Sequence, residues 1–190
     1  MEGVVWPPGW AQAVVAVVAL QRLVELAISR RNTARLRAAG AVEHGRGHYP
    51  AIVALHALWL AAVALAVPPD RPPDPIFAAV FVAFQAARVW VLASLGARWT
   101  TRVLVLPGEA RVRTGPYRFL AHPNYAIVMA EIVVLPAAFG AYGLAFAFGL
   151  ANAGLLAWRI RVEDRALAAA EAMPPGSTAG APARHPGPVR

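Results

Sequence analysis

The sequence predicts an all-α integral membrane protein with five transmembrane helices, and three observations lead there. Hydrophobic residues make up 58% of the 190 positions and charged ones only 15%, well away from the roughly 45–50% and 25% of soluble domains. Apolar runs of membrane-spanning length recur along the chain, and arginines gather in alternate loops between them. With so little polar surface, the chain cannot coat a water-facing globule.

Span one covers Trp10 to Ser29 and carries Gln21, Arg22 and Glu25, meeting the ~20 apolar residues a spanning helix needs. It does not read as a cleaved signal, because it follows Met1-Glu2-Gly3 rather than a basic stretch and ends in Arg30-Arg31. Span two, Ala51 to Val67, follows Pro50 and stops at Pro68-Pro69. Span three, Ile76 to Leu95, follows Pro75 and ends before Gly96. Proline is tolerated in a first helical turn and breaks a helix elsewhere, so these boundaries are written into the chain.

Pro123 to Phe139 and Tyr142 to Trp158 form spans four and five, separated by Gly140-Ala141 with no charge between them. So short a joint predicts a tight antiparallel hairpin. Span five then runs on through Arg159 to Glu171 as a polar helix leaving the bilayer on the cytosolic side. Residues 1–173 read as one membrane domain, and the Pro-, Gly- and Ser-rich residues 174–190 as a disordered tail.

Orientation follows from arginine placement, since basic loops stay cytoplasmic. Residues 30–50 hold Arg30, Arg31, Arg35, Arg37 and Arg46; residues 96–121 hold Arg98, Arg102, Arg111, Arg113 and Arg118; the loop 68–75 has only Arg71. The N-terminus is therefore expected outside and the C-terminus in the cytoplasm. The net charge of +8 points to anionic lipid headgroups as partners rather than nucleic acid, because the arginines lie between apolar runs and not on one basic face. With no cysteine, disulfides, cysteine zinc sites and thiol catalysis are excluded.

In this topology the polar residues inside spans fall in one cytoplasmic half: Gln21, Arg22 and Glu25 on span one, Gln85 and Arg88 on span three, Glu131 on span four and Asn152 on span five. Intramembrane charges are costly and are functional candidates by default. Arg22 with Glu25 also fits a local helix pair, and Arg88 a side chain snorkelling to headgroups. Glu131, about 12 Å beyond the start of its helix, must be protonated, paired with an arginine such as Arg88, or bonded to something bound. Arg88, Glu131 and Asn152 are the candidates for contacting a substrate.

Residues 107–125 form a polar, turn-rich segment between spans, with Gly115-Pro116 forcing a turn and Pro123 opening span four. The start of that helix beside His122 and Tyr125 would cradle an anion, or His122 would simply cap the helix and Tyr125 anchor it at the interface. Arg159 and Glu163, four residues apart, share a helix face where span five emerges on the same side.

Gly-Pro-Tyr-Arg at 115–118, His-Pro-Asn-Tyr at 122–125, Glu131, Pro136 and Arg159-x-x-x-Glu163-Asp164 together resemble the isoprenylcysteine carboxyl methyltransferase family of membrane methyltransferases. The front half, with Gln21-Arg22, Glu25, Arg31-Asn32, Glu43-x-Gly45-x-Gly47-His48-Tyr49-Pro50, Ser94-Leu95-Gly96 and Trp99, resembles its bacterial branch associated with type III polyketide synthases. The resemblance implies an enzyme of the bacterial inner membrane that binds S-adenosylmethionine in a cytosol-facing pocket. Such an enzyme would methylate an oxygen of a lipophilic small molecule: an isoprenylcysteine-type carboxylate, or an alkylpyrone or alkylresorcinol enol or phenol. It assigns Gly115, Tyr117, His122, Pro123, Tyr125 and Glu163 to the cofactor pocket, and Arg159 to holding the acceptor oxyanion beside Glu163. In one departure, the family's arginine directly before His-Pro is here Ala121, so whatever that arginine does is either absent or supplied by Arg118 or Arg113. Two other readings remain open: a membrane reductase of the steroid-reductase type using NADPH, and a small non-enzymatic transporter.

Overall fold

The computed structural model describes residues 9–172, so the expected tail 174–190 lies outside the described residues. Five helices dominate: α1 (Trp10–Ala38), α2 (Tyr49–Ala66), α3 (Pro75–Leu95), α4 (Pro123–Ala138) and α5 (Tyr142–Glu171). Two three-residue strands, β1 (Val42–His44) and β2 (Val103–Val105), pair antiparallel with Glu43 opposite Leu104. The described residues are all-helical as expected apart from this short ribbon, in which the loops after α1 and α3 meet.

Among the described residues, four helices are long and apolar enough to cross a membrane, α1, α2, α3 and α5; α4 is apolar but shorter, at 16 residues. The apolar windows of the four are at most 28% buried within the protein. Val17, Leu20, Leu58, Leu65, Val82, Phe146 and Leu150 point outward, an exposed apolar surface of the kind that meets lipid. The chain is an integral membrane protein.

Local chemistry sets the boundaries. Asp74 caps α3, its carboxylate accepting from the amides of Ile76 (2.9 Å) and Phe77 (3.1 Å), with Pro75 at the first helical position. α4 ends where Gly140, at φ 71°, lets the Ala141 amide return to the Pro136 carbonyl (2.9 Å) and its own to Ala137 (2.9 Å). The same turn closes α1: Gly40 has φ 92°, Ala41 donates to Leu36 and Gly40 to Arg37. α1 thus extends nine residues past Ser29, the expected end of span one.

The apolar core joins α1 to α4 through Val18, Trp59, Val63, Phe81, Ile132 and Leu135. Trp59 also donates its indole N–H to the Ile132 carbonyl at 3.1 Å, tying α2 to α4. α4 and α5 touch at Val133 with Gly149, at Met129 with Asn152 and at Tyr125 with Arg159. This order sets the start of α4 beside the far half of α5.

Candidate active site

Among the polar clusters of the described residues, two bear on the residues singled out in the sequence: one closed, one lining a cavity. The closed cluster lies between α1, α3 and α4. Arg88 donates to both oxygens of Glu25 (2.5 and 2.6 Å) and to Glu131 (3.2 Å); Arg22 reaches Glu131 at 2.6 Å and Glu25 at 3.0 Å; Gln85 donates to Glu131 at 2.8 Å. Two arginines balance two carboxylates, which is how buried charge is tolerated. Arg22 with Glu25 is therefore more than a local pair, and Arg88, 5% exposed, does not snorkel. Glu131 has its arginine partners. Asn152, also buried, bonds to the Met129 sulfur. None of Arg88, Glu131 and Asn152 lines the cavity described next.

That cavity, of about 610 Å³, lies at the start of α4 and the far half of α5. Of the residues singled out in the sequence, Tyr117, His122, Tyr125, Arg159 and Glu163 line it, whereas Gly115 and Pro123 shape its frame. Gly115 has φ 56°, and a Cβ there would stand 2.1 Å from the Ser94 hydroxyl, so glycine alone lets the turn Gly115–Arg118 press against α3. Pro123 opens α4.

Tyr125 connects the two sides. Arg159 Nε donates to its phenol oxygen at 2.7 Å, and the phenol donates to the Glu163 carboxylate. Arg159 and Glu163 share a face as expected, yet they are joined through this tyrosine rather than as a direct ion pair. Arg159 Nη2 donates to the Thr101 carbonyl at 2.8 Å; the bonds of this side chain leave Nη1 for a ligand. His122 stacks on Tyr125, ring centres 5.3 Å apart, and its Nε2 is 3.1 Å from an Asp164 carboxylate oxygen that Arg111 also approaches, at 3.4 Å. Burial first, and then the Glu163 charge, push the Tyr117 phenol above its ordinary pKa, so it stays a hydrogen-bond donor.

The first turn of α4 offers an anion less than the sequence suggests. Pro123 has no N–H, and the amides of Tyr125 and Ala126 turn back on the His122 carbonyl at 3.1 and 3.3 Å. Three residues to which the sequence gave no role matter more. Trp99 Nε1 and Asn124 Oδ1 are buried without a hydrogen-bond partner, and both residues line the cavity. Asp164 orients His122. Buried polar atoms left unpaired are what a polar ligand satisfies. Arg113 and Arg118 stand exposed at the cavity wall, in the segment that leads to Ala121.

Beside the cavity, an apolar groove of about 440 Å³ runs between α4 and α5 past Ala126, Met129, Ala153 and Ala157. Leu120, Ala121, His122 and Tyr125 line both spaces.

Fold and site define a class: an integral membrane protein with a polar cavity at one end of its bundle and an adjoining apolar groove. The isoprenylcysteine carboxyl methyltransferase (ICMT) family model matches residues 77–169, the stretch from α3 through α5 that builds both spaces. The uncharacterized protein YpbQ of Bacillus subtilis (strain 168) is 41% identical over 157 residues, covering 80% of this chain and 94% of the relative. The chain belongs to the ICMT family, and that membership points to a membrane methyltransferase. No solved structure matches it.

Proposed function

We propose that the protein is an S-adenosylmethionine-dependent O-methyltransferase whose acceptor is a lipophilic carboxylate, enol or phenol reached from the bilayer. The observation that carries this reading is the meeting of Arg159, Tyr125, Glu163 and the His122–Asp164 pair on one cavity that adjoins an apolar groove. The volume is of the size that holds a small-molecule ligand. The residues suit the cofactor: unpaired Trp99 Nε1 and Asn124 Oδ1 for a nucleoside's polar edges, aromatic rings and the Glu163 carboxylate for a sulfonium, and wall arginines for its carboxylate.

S-adenosylmethionine, held by these residues, would supply an electrophilic methyl group for the acceptor oxygen, with its sulfur as the leaving group. The protein's part is positional and electrostatic. Arg159 Nη1 faces the acceptor oxygen and favours its ionised form. Tyr125 fixes both Arg159 and Glu163, so the cationic and anionic partners keep their separation. A carboxylate acceptor is already ionised near neutral pH; an enol or phenol passes its proton to His122, whose ring Asp164 orients. Opposite charges neutralise one another in this transfer, so excluding water and aligning the reactants accelerate it. The groove between α4 and α5 receives the acceptor's apolar tail.

The reading includes five spans with α4 and α5 as a transmembrane hairpin, the N-terminus outside and the C-terminus in the cytoplasm of a bacterial inner membrane. Alternating arginine-rich loops support it. The front-half motifs favour polyketide-type acceptors, alkylpyrones or alkylresorcinols. The test is transfer of tritium from methyl-labelled S-adenosylmethionine into extracted lipid by purified protein in nanodiscs supplied with a long-chain alkylpyrone. Labelled methyl ether is expected. Absence of label together with consumption of NADPH would replace this reading with the reductase one.

A further inference from the structure

Ser29 and Asn32 stand one turn apart near the end of α1, both buried, at 2% and 5% exposure, and neither lines the cavity. Both bond to the segment between α3 and β2. Asn32 Nδ2 donates to the carbonyls of Trp99 (2.8 Å) and Gly96 (3.2 Å). Ser29 Oγ accepts the Thr101 amide at 2.8 Å and shares a second hydrogen bond with Thr101 Oγ1, also 2.8 Å. The Tyr49 hydroxyl, from the start of α2, lies 3.2 Å from that same Oγ1.

Thr101 turns its carbonyl the other way, onto Arg159 Nη2. A guanidinium held at Nε alone can roll about that bond; a second contact at Nη2 fixes its plane and so the direction of Nη1. The position of the Thr101 carbonyl is in turn set by the hydroxyl and amide bonds to Ser29 and Tyr49. α1 lies outside the stretch the family model matches, yet through Thr101 it is bonded to the Arg159 side chain of α5.

We infer that Ser29 and Thr101 are positioning residues for Arg159, holding its guanidinium in the plane that meets the acceptor oxygen. The inference rests on the methyltransferase reading, in which Arg159 holds an oxyanion. A misplacement of a catalytic group by about 1 Å costs on the order of 100-fold in rate, so loss of these bonds lowers kcat by about 10-fold or more. Neither residue bonds to the Trp99 Nε1 and Asn124 Oδ1 atoms assigned to the donor.

The experiment uses the full chain in nanodiscs with S-adenosylmethionine and a long-chain alkylpyrone, and measures S-adenosylhomocysteine affinity in parallel. Ser29→Ala and Thr101→Val are expected to lower kcat with the S-adenosylhomocysteine Kd unchanged, Thr101→Ser to restore kcat, and Ser29→Ala to add nothing in an Arg159→Ala background. Wild-type kcat in both Ser29→Ala and Thr101→Val overturns the inference while leaving the methyltransferase reading standing. So does loss of S-adenosylhomocysteine binding in both variants, since the segment would then support the donor pocket. A wild-type chain that neither binds S-adenosylhomocysteine nor transfers methyl overturns the reading, and this inference with it.

Discussion

Replacing Arg88 with Met breaks the charge balance between α1, α3 and α4 in a way that can be sized. Arg88 makes two bonds to Glu25 and one to Glu131, and its loss leaves Arg22 facing two carboxylates, of which Glu131 is 1% exposed. Removing one partner of a buried ion pair costs about 3–5 kcal/mol. Arg22 keeps its bonds to both carboxylates, which places Arg88→Met near the lower end, about 3 kcal/mol. Adding Glu131→Gln restores the balance at one arginine and one carboxylate, so the double variant should lose only about 1–2 kcal/mol. Reversible unfolding in mixed micelles, with all three variants on one denaturant scale, measures this. An Arg88→Met loss below about 1 kcal/mol, or a double variant whose loss equals the sum of the singles, would refute the view of this cluster as a charge-balanced clamp.

Tyr125→Phe keeps the ring and removes the oxygen linking Arg159 to Glu163; initial rates should show kcat/KM about 100-fold lower. Glu43 responds to acid. Burial raises its pKa, but bonds from Arg102 and Arg37 and their charges outweigh that and hold it below the usual carboxylate range. Its contribution to stability is therefore complete above the unfolded value of about 4.3 and is lost as pH falls through the folded one. Glu43→Gln should be less stable than wild type near neutrality, with the gap closing below about pH 4 in thermal unfolding curves; a constant gap would contradict this. Ala157→Trp fills the groove between α4 and α5, and should raise KM for a long-chain acceptor about 10-fold while calorimetry shows S-adenosylhomocysteine affinity unchanged.

The helices were legible because apolar runs and prolines act locally: Pro50, Pro75 and Pro123 each fall in a first turn, as expected. The apolar run to Ser29 marked the expected span, and the helix continues beyond it until Gly40 turns the chain. That glycine was the available signal. The ribbon was not legible, since β1 and β2 are three residues each and about 60 positions apart, too short for a period to register. Among the intramembrane charges, sequence depth brought the right residues to one level, but partners depend on packing: Arg88 bridges two carboxylates on different helices. In the cavity, Tyr117, His122, Tyr125, Arg159 and Glu163 could be named from spacing and resemblance. The unpaired atoms of Trp99 and Asn124 and the Thr101 carbonyl could not, because only the fold shows which polar atoms lack partners and where a backbone oxygen points.

The central claim is that the start of α4 and the far half of α5 together form one donor pocket. Calorimetric titration of S-adenosylhomocysteine into the purified full chain, beside His122→Ala from the first side and Glu163→Ala from the second, tests it most directly. The account predicts saturable binding at one site per chain that each substitution abolishes. Absence of binding in the wild type, or undiminished binding in both variants, would contradict it.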